Sequence, residues 1–451
     1  MPYITRVIGA DGVGTNAVTG SFVQYFVLIG SLGFSIYGNR EIAKFQNDVK
    51  QRSKIFYEIV IVRLITIIIS YTFFLIFLYF QKQNITIYLF QSVAIISAGI
   101  DISWYFMGME KFRRTIGRNF LVQILSLISI FVFVKDSGDL IVYIAIIGLS
   151  TLIGNLSLWV YIPHELIKIS VKKIQLWKHM KPSFTFFLPN IAVQVYVVLN
   201  KQMIGSMDSV SHAGWFDMSD KIVKISLSLV LALGTVMLPR MSSIYAEKKF
   251  DEAKALLIKS FNLVSSLALP LTFGLMSISL KFSPYFLGKD FSGVGVLIMM
   301  ESTIIIFIAW SNVLGMQYWF PLNKMRYYTQ AVTLGALGNI LLNLFLIPFY
   351  GVYGAMVATI ITEIFVTVFQ LIAIRKSFRF SVLMKGQWKY LLSSLVLFFV
   401  VFTLNQRMTM NIKNLFIQIS VGIIIYVWGN IILKTELYVL LQNLIWKNRK
   451  R

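Results

Sequence analysis

The sequence predicts an all-α, polytopic transmembrane helical bundle made of two related halves. Composition is the first reason: of 451 residues, 57% are hydrophobic and only 14% charged, and mean hydropathy is +0.74, whereas a soluble chain carries about a quarter charged residues. The second is a series of apolar runs long enough to cross a bilayer core, and the third is the way basic segments alternate between them.

The runs lie near 17–37, 55–80, 85–107, 119–134, 139–161, 183–205, 218–238, 258–282, 291–314, 328–347, 352–374, 389–405 and 415–433. Basic segments follow alternate runs: Arg40 to Lys54, Lys111 to Arg118, Lys168 to Lys181, Arg240 to Lys259, Lys324 to Arg326, Arg375 to Lys389 and the tail Lys447 to Arg451. Sorted this way, about 31 Lys and Arg fall on one side and about 9 on the other, the bias that marks a cytoplasmic face. The net charge of +23 therefore reads as a topology signal and not as a nucleic-acid surface. The C-terminus is expected on the cytoplasmic side. The absence of cysteine excludes disulfides and thiolate metal sites.

The opening MPYITRVIG lacks the basic region and apolar core of a signal peptide. It reads as the last turns of a preceding helix, which puts the expected natural start upstream.

The run 183–205 carries Pro189, Asn190, Gln194 and Lys201. On a helix, residues 190, 194 and 201 differ by about 40° and 20° of rotation, which makes one polar stripe. Lipid does not accept such a stripe, so it is expected to face protein or a hydrated cavity. The next run opens with Asp217, Asp220, Lys221 and Lys224, two acid-to-base pairs at i,i+4 spacing.

Other runs hold isolated polar residues. Arg63 shares a helical face with Thr66 and Ser70. Arg63, Lys201, Lys221 and Lys224 are the candidates for meeting an anionic substrate group, with Asn190 and Gln194 beside them; the alternatives are snorkelling or pairing with a neighbouring acid. Asp101, Glu301 and Glu363 are the intramembrane acids, aligned respectively with Ser97 and Tyr105, with Asn312, and with Thr359 and Thr367. They could carry a coupled proton or sodium ion, or act as buried counter-ions. Asn339 and Asn343 stand one turn apart; they either touch substrate or bond adjacent helices. Trp177, Trp215, Trp319, Trp388 and Trp446 lie near run ends, as interfacial anchors do.

Catalytic and metal-binding signals are weak. His164, His179 and His212 form no motif, and GADGVG lacks the strand and helix context of a phosphate loop. No metal site and no cofactor beyond an ion gradient is expected.

An internal repeat with an offset near 200 residues supports two halves. Ile8-Gly9 leads to Leu32-Gly33 and Arg40 as Ile204-Gly205 leads to Leu233-Gly234 and Arg240; Trp104 precedes Gly108-Met109-Glu110 as Trp310 precedes Gly315-Met316-Gln317. Repeats about the membrane normal are a transporter architecture, with the substrate site between halves.

Several segments, in order, resemble the polysaccharide flippase family, Wzx type, of the multidrug/oligosaccharidyl-lipid/polysaccharide (MOP) exporter superfamily: PYITRVIGADGVG, YGNREIAKFQND, DISWYFMGMEKF, LNKQMIG, DKIVK with VMLPRMS, and NILLNLFLIPFYGVYGA followed by Glu363. The resemblance implies two pseudo-symmetric six-helix halves, with the first helix missing from this chain, plus two C-terminal helices. The expected divisions are 1–162, an inter-bundle linker 163–182, a second bundle 183–374, and 375–451 with two further helices and a basic tail.

The resemblance also implies alternating-access transport, without catalysis, of an undecaprenyl-diphosphate-linked oligosaccharide across the bacterial cytoplasmic membrane for capsule, O-antigen or exopolysaccharide synthesis. Expected partners are that lipid-linked substrate, the bilayer, and the polysaccharide polymerase and chain-length machinery; nucleic acid is not among them. The alternatives are an ion-coupled drug or metabolite exporter of the same superfamily, a membrane polymerase or glycosyltransferase, and a scaffold of the assembly complex.

Overall fold

A computed structural model describes residues 1–169, 174–322, 324–375, 377–439 and 442. Residues 185, 186, 188–190, 192, 193, 235, 236 and 246 are described by backbone alone. The tail Lys447–Arg451 and linker residues 170–173 lie outside the described residues.

Helices and turns account for the described chain, with no strand among the described residues. Lipid offers no hydrogen bonds, so each spanning segment must satisfy its backbone internally, which a helix does. Among the described residues, eleven helical segments are long and apolar enough to cross a membrane. Dividing Met325–Ile374 where it breaks, and adding the helix Met180–Met207, recovers the thirteen expected runs.

The chain forms two compact units, Val7–Ser206 and Met207–Arg451 with Met1–Arg6. In the first, α1 (Pro2–Ser31) breaks at Gly9, with φ 74°, and turns into α2 (Phe34–Lys44) through Leu32 and Gly33 at φ 39° and 73°. The apolar run 17–37 is thus two helices. α3 (Val49–Phe80) follows, then α4 (Ile85–Ile100), α5 (Ser103–Gly108), α6 (Phe112–Phe133), α7 (Leu140–Ser157) and α8 (Met180–Met207).

The division at 182/183 expected from sequence differs from these units, because α8 packs with the helices before it. Ser183 Oγ donates to Leu32 O at 2.6 Å. At Gly33 a Cβ would stand 3.0 Å from Ser183 O and Phe187 N, so only glycine combines the left-handed turn with this backbone approach. Just ahead of α8, His179 is buried, its Nδ1 2.8 Å from Tyr37 Oη and its Nε2 2.8 Å from Glu58 Oε2. Gln175 N donates to the other Glu58 oxygen at 2.7 Å. The bland basic segment around His179 is therefore tied down through α2 and α3.

The basic end of this unit is knitted by one carboxylate. Glu165 accepts from Lys111 Nζ at 2.6 Å and from Arg114 Nη1 at 2.7 Å, while Arg52 donates to Glu165 O at 3.0 Å. Arg114 also lies over Tyr161, 4.6 Å from the ring centre.

In the second unit, α9 (Val210–Ala246), α10 (Phe250–Leu287), α11 (Val294–Glu301), α12 (Ile304–Leu314) and α13 (Met325–Ile374) are followed by α14 (Phe380–Leu383), α15 (Gln387–Arg407) and α16 (Ile412–Ile432). α10 packs along α15, and Leu269, Tyr390, Leu397, Val401 and Tyr426 form a core there. α13 breaks at Gly351, φ 56°. Asp208 Oδ2 accepts from Val352 N at 2.7 Å and so caps the second half of α13 as an N-cap does.

The repeat seen in the sequence has a structural counterpart. Trp104 stacks on Phe56 at 5.6 Å and 28°, and Trp310 stacks on Phe261 at 5.3 Å and 25°. The same ring pair therefore recurs in both units at an offset near the sequence repeat. Many large apolar side chains point outward, among them Phe120, Phe345, Phe349 and Ile432, as expected where the solvent is lipid. Trp177 and Trp388 are exposed as anchors should be, but Trp319 is buried against Tyr318 and Tyr327 and serves the packing instead.

Candidate functional site

Within the first unit, two neighbouring cavities of about 330 and 190 Å³ share Ala94, Ile147 and Gly148 in their walls. The larger is lined at its polar end by Ser31, Arg63, Ser97, Asp101, Thr151 and Asn155. The smaller adds Asn16, Gln24, Gln91 and Tyr143. Such a run of amides and hydroxyls with one guanidinium replaces water around a polar solute while its alanine and isoleucine walls stay apolar.

The polar stripe of α3 divides its work. Thr66 Oγ1 donates to Gly30 O at 2.6 Å and Ser70 Oγ to Phe26 O at 2.7 Å, fastening α3 to α1. Arg63, buried at 3% exposure, reaches the cavity instead.

The partner of Arg63 comes from a helix break. α4 stops at Asp101, whose ψ of 114° is extended and whose Oδ1 accepts from Ser103 N at 2.9 Å. The freed Asp101 carbonyl accepts from Arg63 Nη1 at 2.8 Å and from Trp104 Nε1 at 3.1 Å. The Asp101 carboxylate stands 3.8 Å from Arg63 Nη2. The break also corrects one expectation: Asp101 and Tyr105 do not share a helical face, and Tyr105 lies in the core with Trp104. Arg63 Nε is buried and has no acceptor among the described residues.

Behind this pair, Asn155 on α7 donates to Ser97 Oγ at 2.9 Å and accepts from Arg118 on α6. Sequence reading missed Asn155 and Arg118. The available signal was a lone amide in the apolar run 139–161; Arg118 was hidden among topology-setting basic residues. Together they place a second guanidinium beside the polar end of the cavity.

In the second unit, Glu301 at the end of α11 is fully buried. Ser219 on α9 donates to Glu301 Oε2, and on the same helix Lys224 Nζ lies 2.8 Å from Asp220 Oδ2. Glu301 thus meets α9 at Ser219, the residue before Asp220. Lys221 goes instead to Asp217, at 2.6 Å.

The remaining candidates have other surroundings. Asn343 Nδ2 donates to Asn339 Oδ1 at 3.0 Å, and Asn339 Nδ2 to Thr362 Oγ1 at 3.2 Å, so these buried amides join the two halves of α13. Glu363 is buried next in sequence to Thr362, and Thr367 donates to Phe307 O at 2.8 Å. Gln194 is exposed and Lys201 half-buried on α8; the side chain of Asn190 lies outside the described residues.

The sequence profile of the family described as "Polysaccharide biosynthesis protein" matches residues 1–245, more than half of the 451-residue chain. The chain belongs to that family. The motifs quoted above identified it as a Wzx-type member of the MOP superfamily, and the relatives agree. A putative O-antigen transporter of Shigella dysenteriae is 21% identical over 379 residues, covering 83% of this chain and 94% of the relative. Among solved structures, the lipid II flippase MurJ in an inward closed conformation superposes with TM-score 0.69 at 15% identity, over 97% of this chain and 98% of that one. An inward-facing multidrug resistance MATE family transporter of the MOP superfamily gives TM-score 0.62 at 11% identity, over 83% and 94%. At these identities the structures establish a shared transporter fold. This member of the polysaccharide biosynthesis family is a multi-pass membrane protein with that fold.

Proposed function

We propose that the chain is a flippase that carries a polyprenyl-diphosphate-linked oligosaccharide across the cytoplasmic membrane of a bacterium. The observation that carries this reading is the Arg63 cavity and its neighbour, in which a buried guanidinium stands among Ser, Thr and Asn side chains with Gln24 and Gln91 next door. A diphosphate needs charge-assisted donors away from bulk water, and sugars need amides and hydroxyls in place of hydration. The names of the relatives, an O-antigen transporter and a lipid II flippase, point to the same substrate class.

Transport here requires no covalent chemistry. The substrate binds, the protein changes which side its site faces, and the difference in affinity between the two states sets direction. An ion gradient supplies that difference, the basic C-terminal end lies in the cytoplasm, and the exported chain passes to polymerase and chain-length machinery. The rival exporter of cationic drugs shares the fold and would use Asp101 in the same wall; the buried Arg63 and the amides and hydroxyls around it support the anionic, sugar-bearing substrate.

The test is binding of a purified polyprenyl-diphosphate oligosaccharide to the full chain in liposomes. Saturable binding that weakens at least about tenfold in Arg63→Ala, equal to about 1.4 kcal/mol, supports the reading. Equal binding by both proteins, or binding of cationic drugs alone, contradicts it.

A further inference from the structure

We propose that the basic end of the second unit holds the phosphate of an anionic phospholipid, seated between Lys324 and Arg326 where the first unit has a carboxylate of its own. The proposal is independent of what the protein transports.

The two units build the same corner. In the first, Lys111 is the N-cap of α6; its N–H reaches back to Phe106 O at 2.8 Å, and Arg114 N donates to Lys111 O at 3.1 Å. In the second, Lys324 is the N-cap of α13; its N–H reaches back to Trp319 O at 2.9 Å, and Tyr327 N donates to Lys324 O at 3.3 Å. The ring contacts agree as well. Tyr105 meets Phe106 edge-on at 5.2 Å, and Tyr318 meets Trp319 edge-on at 4.7 Å. Arg114 lies 5.6 Å from the centre of the Phe106 ring, and its counterpart Tyr327 lies 4.7 Å from that of Trp319. Every one of these pairs is 213 residues apart, so the correspondence holds residue by residue. The offset between Trp104 and Trp310 is smaller because the second unit has a longer connection, with the π-helical turn Gly315–Trp319, between its tryptophan and its lysine.

The charges differ. In the first unit Glu165 accepts from both Lys111 and Arg114, which neutralises the corner from within. The chain that follows α13 in the second unit reads Arg-Lys-Ser-Phe-Arg over 375–379 and offers no acid. Tyr318 Oη donates to Ser377 Oγ at 2.7 Å, so this acid-free segment packs against the corner. Among the described residues, neither Lys324 nor Arg326 has a side-chain ion pair or hydrogen bond. With Tyr327 and Gln330 they line a cavity of about 540 Å³. Two cations at a cavity without a carboxylate call for an anion from outside the chain, and phosphate oxygens accept charge-assisted bonds from ammonium and guanidinium alike.

The surface below the cavity favours a lipid as the source. Tyr327 is exposed, as an interfacial aromatic anchor is. Leu334 follows Tyr327, and Leu337 follows Arg326, each within about 20° of rotation on the helix, and both leucines are exposed. They lie about 10 and 15 Å along α13 from Tyr327, within the roughly 15 Å of hydrocarbon in one leaflet. A phospholipid whose phosphate sits on the two cations has its acyl chains beside this stripe, whereas free phosphate gains nothing from it. Of the four described lining residues only Gln330 is an amide, which is little for a glycan.

The experiment titrates phosphatidylglycerol, and separately phosphatidylcholine, into the delipidated full chain in detergent, and reads binding and the midpoint of thermal unfolding. Phosphatidylglycerol should bind at least about tenfold more tightly, as two cations facing an anionic lipid supply, and should raise the midpoint as its concentration rises. Lys324→Gln combined with Arg326→Gln should make the two lipids equal. Gln330→Glu, which puts a carboxylate in the cavity, should do the same and raise the midpoint without lipid. Lys50→Gln combined with Arg113→Gln, which takes the same charge from exposed positions of the first unit, should leave the preference intact. Equal affinities in the unmodified protein, a preference that survives either change in the cavity, or its loss in the first-unit variant overturns the proposal. So does inorganic phosphate that reproduces the shift, or a polyprenyl diphosphate that displaces phosphatidylglycerol, since these assign the cavity to a free anion or to the transported lipid.

Discussion

Arg63 and Asp101 meet through the backbone more closely than through their charges: Arg63 Nη1 to the Asp101 carbonyl is 2.8 Å, and Nη2 to its carboxylate 3.8 Å. The broken helix end thus orients the guanidinium, while the carboxylate remains a loose, 22% exposed counter-ion. An incoming anion can displace the carboxylate without undoing the anchor.

That arrangement makes the two charge removals unlike each other. Asp101→Asn keeps an acceptor for Ser103 N and the carbonyl for Arg63, so the fold should hold and a diphosphate should bind several-fold more tightly, with slower release. Arg63→Lys should bind about tenfold more weakly than the unmodified protein, because an ammonium is one point charge where a fork is needed. Titration of a polyprenyl diphosphate into each variant measures both.

Asn155 links Ser97 on α4 to Arg118 on α6. Asn155→Ala should leave the Arg118 contact and the Ser97 hydroxyl without that partner and lower stability by about 1–3 kcal/mol, read as a lower midpoint of thermal unfolding in detergent. Asn155→Leu should cost no less.

Glu165 sets a pH dependence at the basic end. Burial opposes its ionisation, but the hydrogen bonds and charges of Lys111 and Arg114 outweigh burial and hold its carboxyl below the usual range. A depressed folded-state pKa stabilises the fold above the unfolded value, about 4.3, and that contribution fades as pH falls through the folded value. Because Lys111 and Arg114 are about one-third exposed, the effect is about 1–2 kcal/mol. Unfolding midpoints measured downward from neutral pH should begin to draw together for the unmodified protein and Glu165→Gln only as pH falls below the unfolded value of about 4.3, and meet below the depressed folded one.

Gly351→Ala tests the break in α13. Its Cβ would fall 2.6 Å from Asp208 Oδ2 at a φ of 56°, so the substitution both strains the backbone and displaces the cap on Val352. A loss of about 2 kcal/mol or more is expected, again from thermal unfolding, with Gly338→Ala as the comparison because nothing lies within 4 Å of its Cβ.

The helices, their number and the repeat were legible because lipid leaves few choices: apolar length dictates a helix, and charge dictates its end. Arg63 and Glu301 stood out for the same reason, as charges where none should be. What the sequence concealed were the breaks and partners. The run 85–107 reads as unbroken, yet stopping it at Asp101 creates the acceptor that holds Arg63. Asp220 reads as half of an i,i+4 pair with Lys224, and nothing in that spacing shows that its neighbour Ser219 meets Glu301; only the tertiary fold does. Thr66 and Ser70, which the sequence shows only as sharing a face with Arg63, fasten α3 to α1, because a hydroxyl stripe is equally suited to lining a cavity or bonding a neighbour. Asn339 and Asn343 likewise satisfy each other and Thr362 inside α13.

The most direct test of lipid-linked sugar transport is in the source cell. With the gene depleted, the lipid-linked oligosaccharide is extracted and its leaflet determined with a membrane-impermeant sugar reagent. Complete repeat units should accumulate on the cytoplasmic side, relieved by the unmodified gene and not by Arg63→Ala. Accumulation on the outer side, or no change in either leaflet, would contradict the account.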